Sequence, residues 1–329
     1  MRGMYSWQFI TELFPPAAGF TERDIPNLAG KVFLITGGAV RNRLRMCEDP
    51  LLQRCHRLHR WPQQSKGEKA IDDIKQTHNT SKGNINFSYL DLGDLRTIKP
   101  AAEEIMAKEE RLDVLCNNAG VMVPPPGSKT TQGYEIQLGT NCLGHFALMQ
   151  HLSPLIQKTA SMSPPGSVRV VWVASSAVHT SQPGGFSFED PNNLTGKQTQ
   201  LSLYSQSKVG DVFLASEYAR RMGKENIISV SINPGSLRTG IVRHMRSWVQ
   251  TFLHYVMLYE PVNGAYTMLF AGLSPQVTLA RNGQYLLPFG RFGNIGDDLT
   301  EALVDTDQGG NGGAKRFWEY CEAETLAHL

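Results

Sequence analysis

In Leu112-Asp-Val-Leu-Cys-Asn-Asn-Ala-Gly120, an apolar run leads directly into two asparagines and two small residues. A short apolar run bounded in this way is typical of a buried β-strand that ends at a turn. Two amides and two small residues at a strand end suit close packing against a bound ligand. A purely structural turn is the alternative that this stretch leaves open.

Strand patterns of the same kind recur along the chain and alternate with helical patterns. The other strand runs are residues 31–36, 85–90, 167–173 and 227–232. The helical patterns are residues 67–76, 97–109, 140–158, 204–221 and 262–271. Apolar strands alternating with helices predict an α/β fold, a doubly wound parallel sheet in a single domain. Ligands of such sheets bind at the carboxyl ends of the strands.

The composition is that of an ordinary globular protein. Of 329 residues, 41% are hydrophobic and 19% charged, and the net charge of +2 does not point to nucleic acid. No apolar stretch reaches the roughly 20 residues of a membrane span, and the first 20 residues lack the apolar core of a secretory signal. Five cysteines without a CxxC pair or metal-ligand spacing predict reduced thiols, no metal and a cytoplasmic location.

Tyr204 and Lys208 are the most informative candidate site, in Leu203-Tyr-Ser-Gln-Ser-Lys208. On a helix, a spacing of four residues brings both side chains to one face. A phenol is a poor acid or base at neutral pH, and a fixed cation beside it favours the phenolate, which suits proton transfer. Tyrosine and lysine fall four apart by chance on many surface helices, so the pair gains its weight from context.

Further candidates lie at the strand ends. Thr36-Gly37-Gly38 follows the first strand, where glycines permit a tight turn and let a pyrophosphate approach the next helix; an ordinary turn is the alternative. Asp91 either accepts a hydrogen bond from an adenine amino group or caps the next helix, for which Asp94 is an equal candidate. Pro234-Gly235 with Thr239 either presents backbone and a hydroxyl to a nicotinamide amide or simply forms a turn.

Three polar residues belong to the middle of the chain. Asn141 lies within a helical pattern, where a buried amide either holds a water or a lysine in a proton path or only packs. Ser176 closes Val173-Ala-Ser-Ser, and its hydroxyl suits a bond to a substrate oxygen, although Ser175 is a rival. His179 is more typical of a solvated loop histidine than of a catalytic base.

The order of these motifs closely resembles that of the short-chain dehydrogenases/reductases. TGG, D, NNAG, NxxG, SS, YxxxK and PGxxxT succeed one another from about Leu28 to Thr239. The 28 residues from Ser176 to Tyr204, and the run Ser-Ala-Val-His179, resemble the retinol-dehydrogenase-like branch in its fungal forms. The resemblance implies a Rossmann fold and hydride transfer between a nicotinamide cofactor, NADP or NAD, and a carbonyl or secondary alcohol.

The resemblance also implies roles for the matching residues. Tyr204 would be the general acid and base, and Lys208 would hold the ribose and favour the phenolate. Ser176 would anchor the substrate oxygen, and Asn141 would support a proton relay. Besides Tyr204 and Lys208, the residues that would line the dinucleotide are Thr36, Gly37, Gly38, Asp91, Asn118, Ala119, Gly120, Leu237 and Thr239.

Residues 41–64 depart from the family pattern. The family continues as TGxxxGxG into a helix and a second strand, whereas Arg41 and Arg43 stand where the second and third glycines belong. The segment RNRLRMCEDPLLQRCHRLHRWPQQ contains no strand-like run, so we expect the second strand to be lost. Arginine side chains obstruct close backbone approach to a pyrophosphate. The chain as written is therefore expected to bind cofactor poorly or to fold poorly.

A shifted reading frame would explain this departure. Back-translated with freely chosen synonymous codons and read one nucleotide later, the segment yields GIGYECAKILYSSAATVYIAGRS, with both glycines, an amphipathic helix and an apolar strand. Codons force only part of it, at Met46-Cys47 and Trp61-Pro62. Our hypothesis is a frame-shifted segment bounded by two compensating indels or a mispredicted splice junction. The restored Arg-Ser end favours the 2′-phosphate of NADP, and without it NAD stays open.

The expected organisation is an N-terminal extension (1–27), a catalytic domain (28–300) and a tail helix (301–329). Residues 240–260 are rich in aromatic residues and methionine and form the substrate lid in the family, which suits a small lipophilic substrate. Packing on the protein's own core, or on a second subunit of a homo-oligomer, is the equal alternative, and contact with a membrane surface is a third, weaker one. A second interpretation of the chain is a catalytically silent interaction protein with a disrupted cofactor site, against which the intact Ser176, Tyr204 and Lys208 argue.

Overall fold

The computed structural model describes residues 7–37, 54–59, 84–237 and 259–329. Its strands form one sheet in the order β3-β2-β1-β4-β5-β6-β7-β8. They are β1 (Val32–Thr36), β2 (Arg54–His59), β3 (Asn84–Tyr89), β4 (Val114–Asn117), β5 (Val168–Val173), β6 (Ile227–Ile232), β7 (Tyr285–Leu287) and β8 (Arg291–Gly293). Strands β1 to β7 are parallel, and β8 runs antiparallel to β7.

Helices flank this sheet on both faces. They are α1 (Trp7–Leu13), α2 (Ile98–Lys108), α3 (Ile136–Leu138), α4 (Gly144–Ser161), α5 (Gln200–Met222), α6 (Pro261–Leu273), α7 (Asp297–Leu303) and α8 (Gly313–Thr325). A π-helical turn, Gly139–Leu143, joins α3 to α4. The predicted doubly wound α/β fold is thus confirmed.

Strand β1 shows how the sheet separates two hydrophobic cores. Val32 and Leu34 face a core that includes residues of α2, α4, α5 and α8. Phe33 and Ile35 face the other core, to which α6 contributes. Because both faces of the strand are covered, the apolar run is continuous, as expected for a central parallel strand.

Most of the predicted elements are present within a few residues of their expected bounds. The runs at 31–36, 85–90, 112–116, 167–173 and 227–232 correspond to β1, β3, β4, β5 and β6, and the four later helical patterns to α2, the α3–α4 segment, α5 and α6. The helical pattern at 67–76 lies outside the described residues. Helix α1 and strands β7 and β8 were not predicted from the sequence.

The expected loss of the second strand is wrong. Arg54–His59 forms β2, which pairs in parallel with β1 on one side and with β3 on the other. A backbone ladder on both sides satisfies the peptide groups whatever side chains the segment carries, so the sheet context overrides weak strand propensity.

The strand order reverses between β1 and β4, which brings their carboxyl ends side by side. In an open α/β sheet, ligands bind at this point of reversal. Within the described ranges, no helix is long and apolar enough to cross a membrane, and no group of histidine, cysteine and acidic side chains is arranged to hold a metal ion.

Candidate active site

The turn after β1 and the Asn-Asn-Ala-Gly turn after β4 form one hydrogen-bonded unit. The Thr36 hydroxyl oxygen accepts bonds from the backbone N–H of Asn118 (2.8 Å) and of Ala119 (2.9 Å). The Asn118 side chain donates to the Thr36 carbonyl at 2.6 Å. Gly37 has φ +76°, and a Cβ there would lie 2.7 Å from Ala119 Cα. The predicted motifs thus meet at the sheet edge, and Gly37 is required by both conformation and space.

A buried histidine connects this unit to the helix of Asn141. His145 Nδ1 lies 2.9 Å from the Asn141 carbonyl oxygen, which can only accept, so Nδ1 carries the proton. Nε2 then accepts from the Thr36 hydroxyl at 2.8 Å. Burial lowers the pKa of His145 to about 3, and the Lys208 charge acts in the same direction. The imidazole is therefore neutral and fixed in one tautomer.

The side chain of Asn141 joins the turn after β4 to α5. Its Nδ2 donates to Ser207 Oγ (2.9 Å) and to the Val121 carbonyl (3.1 Å), and its Oδ1 accepts from the Val121 N–H (2.9 Å). A Cβ at Gly120 would lie 3.1 Å from Asn141 Oδ1 and 3.7 Å from Lys208 Nζ. This crowding disfavours a side chain at position 120. The bare backbone of Gly120 lets a dinucleotide approach closely, so the residues present fit such a cofactor.

Tyr204 and Lys208 are both buried on α5, with 6% and 5% of their surfaces exposed. Lys208 Nζ lies 5.9 Å from the centroid of the Tyr204 ring. It donates to the Val173 carbonyl at 2.7 Å and to Asp211 Oδ2 at 2.8 Å. An ammonium group has three protons, so the bonds within the described residues leave one for a ligand.

The partner of Lys208 is Asp211, a buried carboxyl that was not predicted from the sequence. Burial raises the pKa of Asp211 to about 6, because the loss of solvation outweighs the attraction of Lys208. Burial also opposes the charge on Lys208, but attraction by Asp211 and Tyr204 outweighs it and raises the pKa of that ammonium. At neutral pH the two groups form a buried ion pair.

The structure distinguishes between the two serines after β5. The Ser175 hydroxyl accepts from the Ala177 N–H at 3.2 Å and so caps the 3₁₀-helix Ser176–Thr180. Ser176 is half-buried at the first position of that helix, and its hydroxyl has no hydrogen-bond partner among the residues described. Ser176 is therefore the serine whose hydroxyl is left for a ligand.

His179 is not the solvated loop histidine that we expected. Only 7% of its side chain is exposed, and its Nε2 lies 3.0 Å from Glu12 Oε1. The phenyl ring of Phe9 packs edge-on against the imidazole at a centroid distance of 5.7 Å. The expectation failed because α1, which supplies both contacts, was not identified from the sequence.

The remaining predicted residues divide into two groups. Asp91 Oδ1 accepts from the Gly93 N–H at 2.9 Å. Of the two candidate caps for the next helix, Asp94 is the one that caps the 3₁₀-helix Leu95–Thr97. Leu237 forms an isolated bridge with Tyr259. Gly38, Thr239 and most of the expected lid at 240–260 lie outside the described residues.

Three residues near the site were not predicted from the sequence. His145 lies four residues after Asn141 and Asp211 three after Lys208, and this helical spacing was a signal that could have found them. Glu12 lies 164 residues before Ser176, and no local spacing could have indicated its position.

The fold and this arrangement define an α/β protein whose candidate ligand site lies at the reversal point of a parallel sheet. Residues 31–188 match the family described as short chain dehydrogenase. A short-chain dehydrogenase/reductase of Phomopsis amygdali is 41% identical over 97% of this chain and 96% of its own length. The short-chain dehydrogenase/reductase pkfC of Emericella nidulans is 38% identical over 96% of this chain and 98% of its own. The chain belongs to the short-chain dehydrogenase/reductase family and is an oxidoreductase.

Solved structures show the same fold. The NADPH-bound carbonyl reductase from chicken fatty liver has a TM-score of 0.60 at 18% identity, covering 82% of this chain and 98% of that one. The 3-ketoacyl-(acyl-carrier-protein) reductase from Brucella melitensis, complexed with NADH, has a TM-score of 0.59 at 19% identity, covering 80% and 99%.

Proposed function

We propose that the protein transfers a hydride between NADP and the carbonyl or secondary alcohol carbon of a small, lipophilic substrate. The observation that carries the proposal is the position of Lys208 Nζ, 5.9 Å from the buried Tyr204 ring on the same helix. A bound nicotinamide supplies or takes up the hydride, and the protein must exchange a proton with the substrate oxygen.

The proposal gives each polar side chain at the site one task. Tyr204 exchanges the proton with the substrate oxygen, and Lys208 holds its ammonium group beside the Tyr204 ring. Ser176 donates its unpartnered hydroxyl to the same oxygen. Asn141 holds the turn after β4 against α5, and through Ser207 it fixes the helix that carries Tyr204 and Lys208.

The proposed cofactor site runs along the sheet edge. Thr36 and Gly37 form the first turn and Asn118 to Gly120 the second, and Lys208 would donate its third proton to a ribose hydroxyl of the cofactor. Asp91, Gly38, Leu237 and Thr239 complete the proposed set. Two structures of the same fold carry NADPH and NADH, which supports a nicotinamide cofactor of either kind.

The preference for NADP rests on the frame-shift hypothesis for residues 41–64. In the frame-shifted reading, the residues at positions 54–59 are AATVYI. The apolar strand of that reading therefore coincides with β2 (Arg54–His59). Sequencing the transcript tests the hypothesis: an in-frame message that encodes Arg41 to Gln64 refutes it. If the hypothesis holds, the protein with the restored reading binds NADPH more tightly than the chain as written, as measured by NADPH fluorescence titration.

The retinol-dehydrogenase-like branch and a cytoplasmic location are part of the same proposal. The 28-residue interval from Ser176 to Tyr204 supports the branch. Free thiols at Cys116, Cys142 and Cys321 support a reducing compartment.

The decisive experiment compares the protein with the restored reading of residues 41–64 and its Tyr204→Phe variant on a panel of lipophilic ketones and aldehydes with NADPH and NADH, with the chain as written assayed beside them. We expect turnover by the protein with the restored reading and a fall in kcat of about 10²- to 10⁴-fold in its variant, because a positioned acid contributes that much. Cofactor affinity should fall much less than kcat. If both the chain as written and the protein with the restored reading lacked turnover and cofactor binding, the results would favour a catalytically silent protein.

A further inference from the structure

We propose that the N-terminal helix α1 is part of the active site, and that Glu12 is a positioning residue for the Ser176 hydroxyl. The inference rests on the proposed function, in which Ser176 binds the substrate oxygen. It concerns a carboxylate that lies 164 residues before that serine in the sequence.

Helix α1 is fastened to the β7–β8 hairpin by specific hydrogen bonds. The Asn294 N–H donates to Gln8 Oε1 at 2.9 Å, and the Gln8 amide donates to the Asn294 carbonyl. The Arg291 guanidinium donates to the carbonyl of Thr11 at 2.7 Å and to its hydroxyl at 3.2 Å. A seven-residue helix is not stable alone in water, so these contacts determine where α1 lies.

The helix carries one carboxylate into the protein, and donors from three separate segments surround it. Glu12 is 1% exposed. Its Oε1 faces His179 Nε2 at 3.0 Å, and its Oε2 accepts from Asn233 Nδ2 at 2.9 Å and from the Tyr285 hydroxyl at 3.5 Å. Burying a carboxylate is unfavourable unless such partners compensate it. A buried carboxylate with these donors, at the carboxyl edge of the sheet, indicates a role beyond anchoring α1.

The donors of this Glu12 cluster belong to the loops that surround the proposed substrate site. His179 lies on the 3₁₀-helix that begins at Ser176. Residues three apart on a 3₁₀-helix lie on the same side, so fixing the His179 ring fixes the rotation of Ser176. Asn233 begins the Asn-Pro-Gly turn after β6, and its Oδ1 holds the Gly235 N–H at 3.0 Å. The Tyr285 hydroxyl also lies 3.3 Å from the Ser175 carbonyl.

The Ser176 helix is also held by the helix of Tyr204, through Thr180 at its last position. The Thr180 hydroxyl lies 2.9 Å from the Ser205 hydroxyl, next to Tyr204 on α5. The Ser176 helix is therefore clamped between Ser205 and Glu12. Loss of the Glu12 contacts releases one side, and Ser176 no longer holds a fixed distance from the Tyr204 hydroxyl.

The test is Glu12→Gln in the full chain, with Glu110→Gln at an exposed carboxylate as the matched control. The substituted amide turns an N–H₂ group toward donors and removes the charge beside His179. We expect kcat for carbonyl reduction to fall about 10- to 100-fold, the loss that a small misplacement produces, with NADPH affinity within twofold. His179→Gln should behave similarly, and the double variant should lose no more than the worse single variant.

A readout that needs no turnover separates this inference from the proposed function. The N–H groups of Val178 and Ser181 bond to the carbonyls of Ser175 and Val178 within the Ser176 helix. Their hydrogen exchange should accelerate at least about tenfold in Glu12→Gln and remain unchanged in Glu110→Gln. Faster exchange with no turnover in the unaltered protein would refute the proposed reaction alone.

Two outcomes overturn the inference. One is an unchanged kcat in Glu12→Gln, even if the melting temperature falls, because Glu12 would then only anchor the chain end. The other is unchanged exchange at Val178 and Ser181. Should Glu12→Gln not fold, His179→Gln carries the same measurements, since Glu12 then keeps its bonds to Gln8, Asn233 and Tyr285.

Discussion

Two buried ionic clusters flank the candidate active site and are built in opposite ways. Lys208 and Asp211 lie three residues apart on α5, so helix geometry alone brings them together. Glu12 meets His179, Asn233 and Tyr285 across 167, 221 and 273 residues of chain, so that cluster forms only when the fold closes. The local cluster holds the proposed proton-transfer group, and the long-range cluster holds the loops around the proposed substrate site.

The contrast between the clusters teaches that a site can be partly visible in a sequence. A cluster on one helix leaves a spacing that can be read, whereas a cluster assembled by tertiary contacts leaves only isolated residues. The two clusters should therefore differ in what their disruption affects. Disrupting the local cluster should reduce stability and turnover together, whereas disrupting the long-range cluster should displace the loops.

Removing the cation of the local cluster should have the largest effect. Lys208→Met leaves Asp211 buried without its partner, and breaking a buried pair in this way costs about 3–5 kcal/mol of unfolding free energy. Turnover should fall below detection, because Tyr204 loses its adjacent cation. Urea unfolding and carbonyl-reduction assays measure the two losses. Lys108→Met, at an exposed pair with Glu104, is the control and should change stability by less than about 1 kcal/mol.

Comparing Asp211→Asn with the unaltered protein should show how the buried carboxyl group makes the stability of the unaltered protein depend on pH. The pKa of Asp211 is raised to about 6 from 3.8, so the folded state favours the protonated form. The stability that this group contributes is complete below about pH 4 and is lost as the pH rises through 6. The unfolding free energy of the variant, relative to the unaltered protein, should therefore rise between pH 4 and 7. A difference that stays flat over this range contradicts the prediction.

Tyr285→Phe should have the smallest effect and sharpen the contrast. Within the described residues, the hydroxyl makes long contacts, at 3.5 Å to Glu12 and 3.3 Å to the Ser175 carbonyl, and Glu12 retains three other donors, from Gln8, His179 and Asn233. We expect a loss of about 1 kcal/mol in unfolding free energy and a fall in kcat smaller than in Glu12→Gln. Thermal unfolding and steady-state kinetics measure both. A larger fall in kcat than in Glu12→Gln would show that Tyr285, not Glu12, dominates the cluster.

The sequence predicted the parts of the fold and of the site that depend on short-range pattern. The runs at β1, β4, β5 and β6 could be read because strands buried on both faces are continuously apolar. Thr36-Gly37 and the Asn-Asn-Ala-Gly turn were recognised as motifs at strand ends, which a parallel sheet brings to one edge. Tyr204 and Lys208 were found by their spacing on one helix.

The features that the sequence could not predict depend on partners supplied from elsewhere in the chain. Strand β2 was missed because Arg54–His59 has weak strand character, and pairing with β1 and β3 determines its conformation. His179 was misjudged because its burial depends on α1. Helix α1 has only seven residues and obtains its stability from the β7–β8 hairpin, so its own sequence carries little signal.

The π-helical turn Gly139–Leu143 limits the insertions and deletions that this part of the fold can accept. Such a turn holds one residue more than an α-helical turn. Deleting that residue would leave an unbroken helix but would rotate the preceding residues by about 100° relative to α4. Gln137, whose Oε1 accepts from the Val123 N–H at 2.9 Å, would turn away from that loop, while His145 on α4 would keep its place. We therefore expect alignment gaps among related proteins to avoid these five positions, although the helix itself would tolerate one.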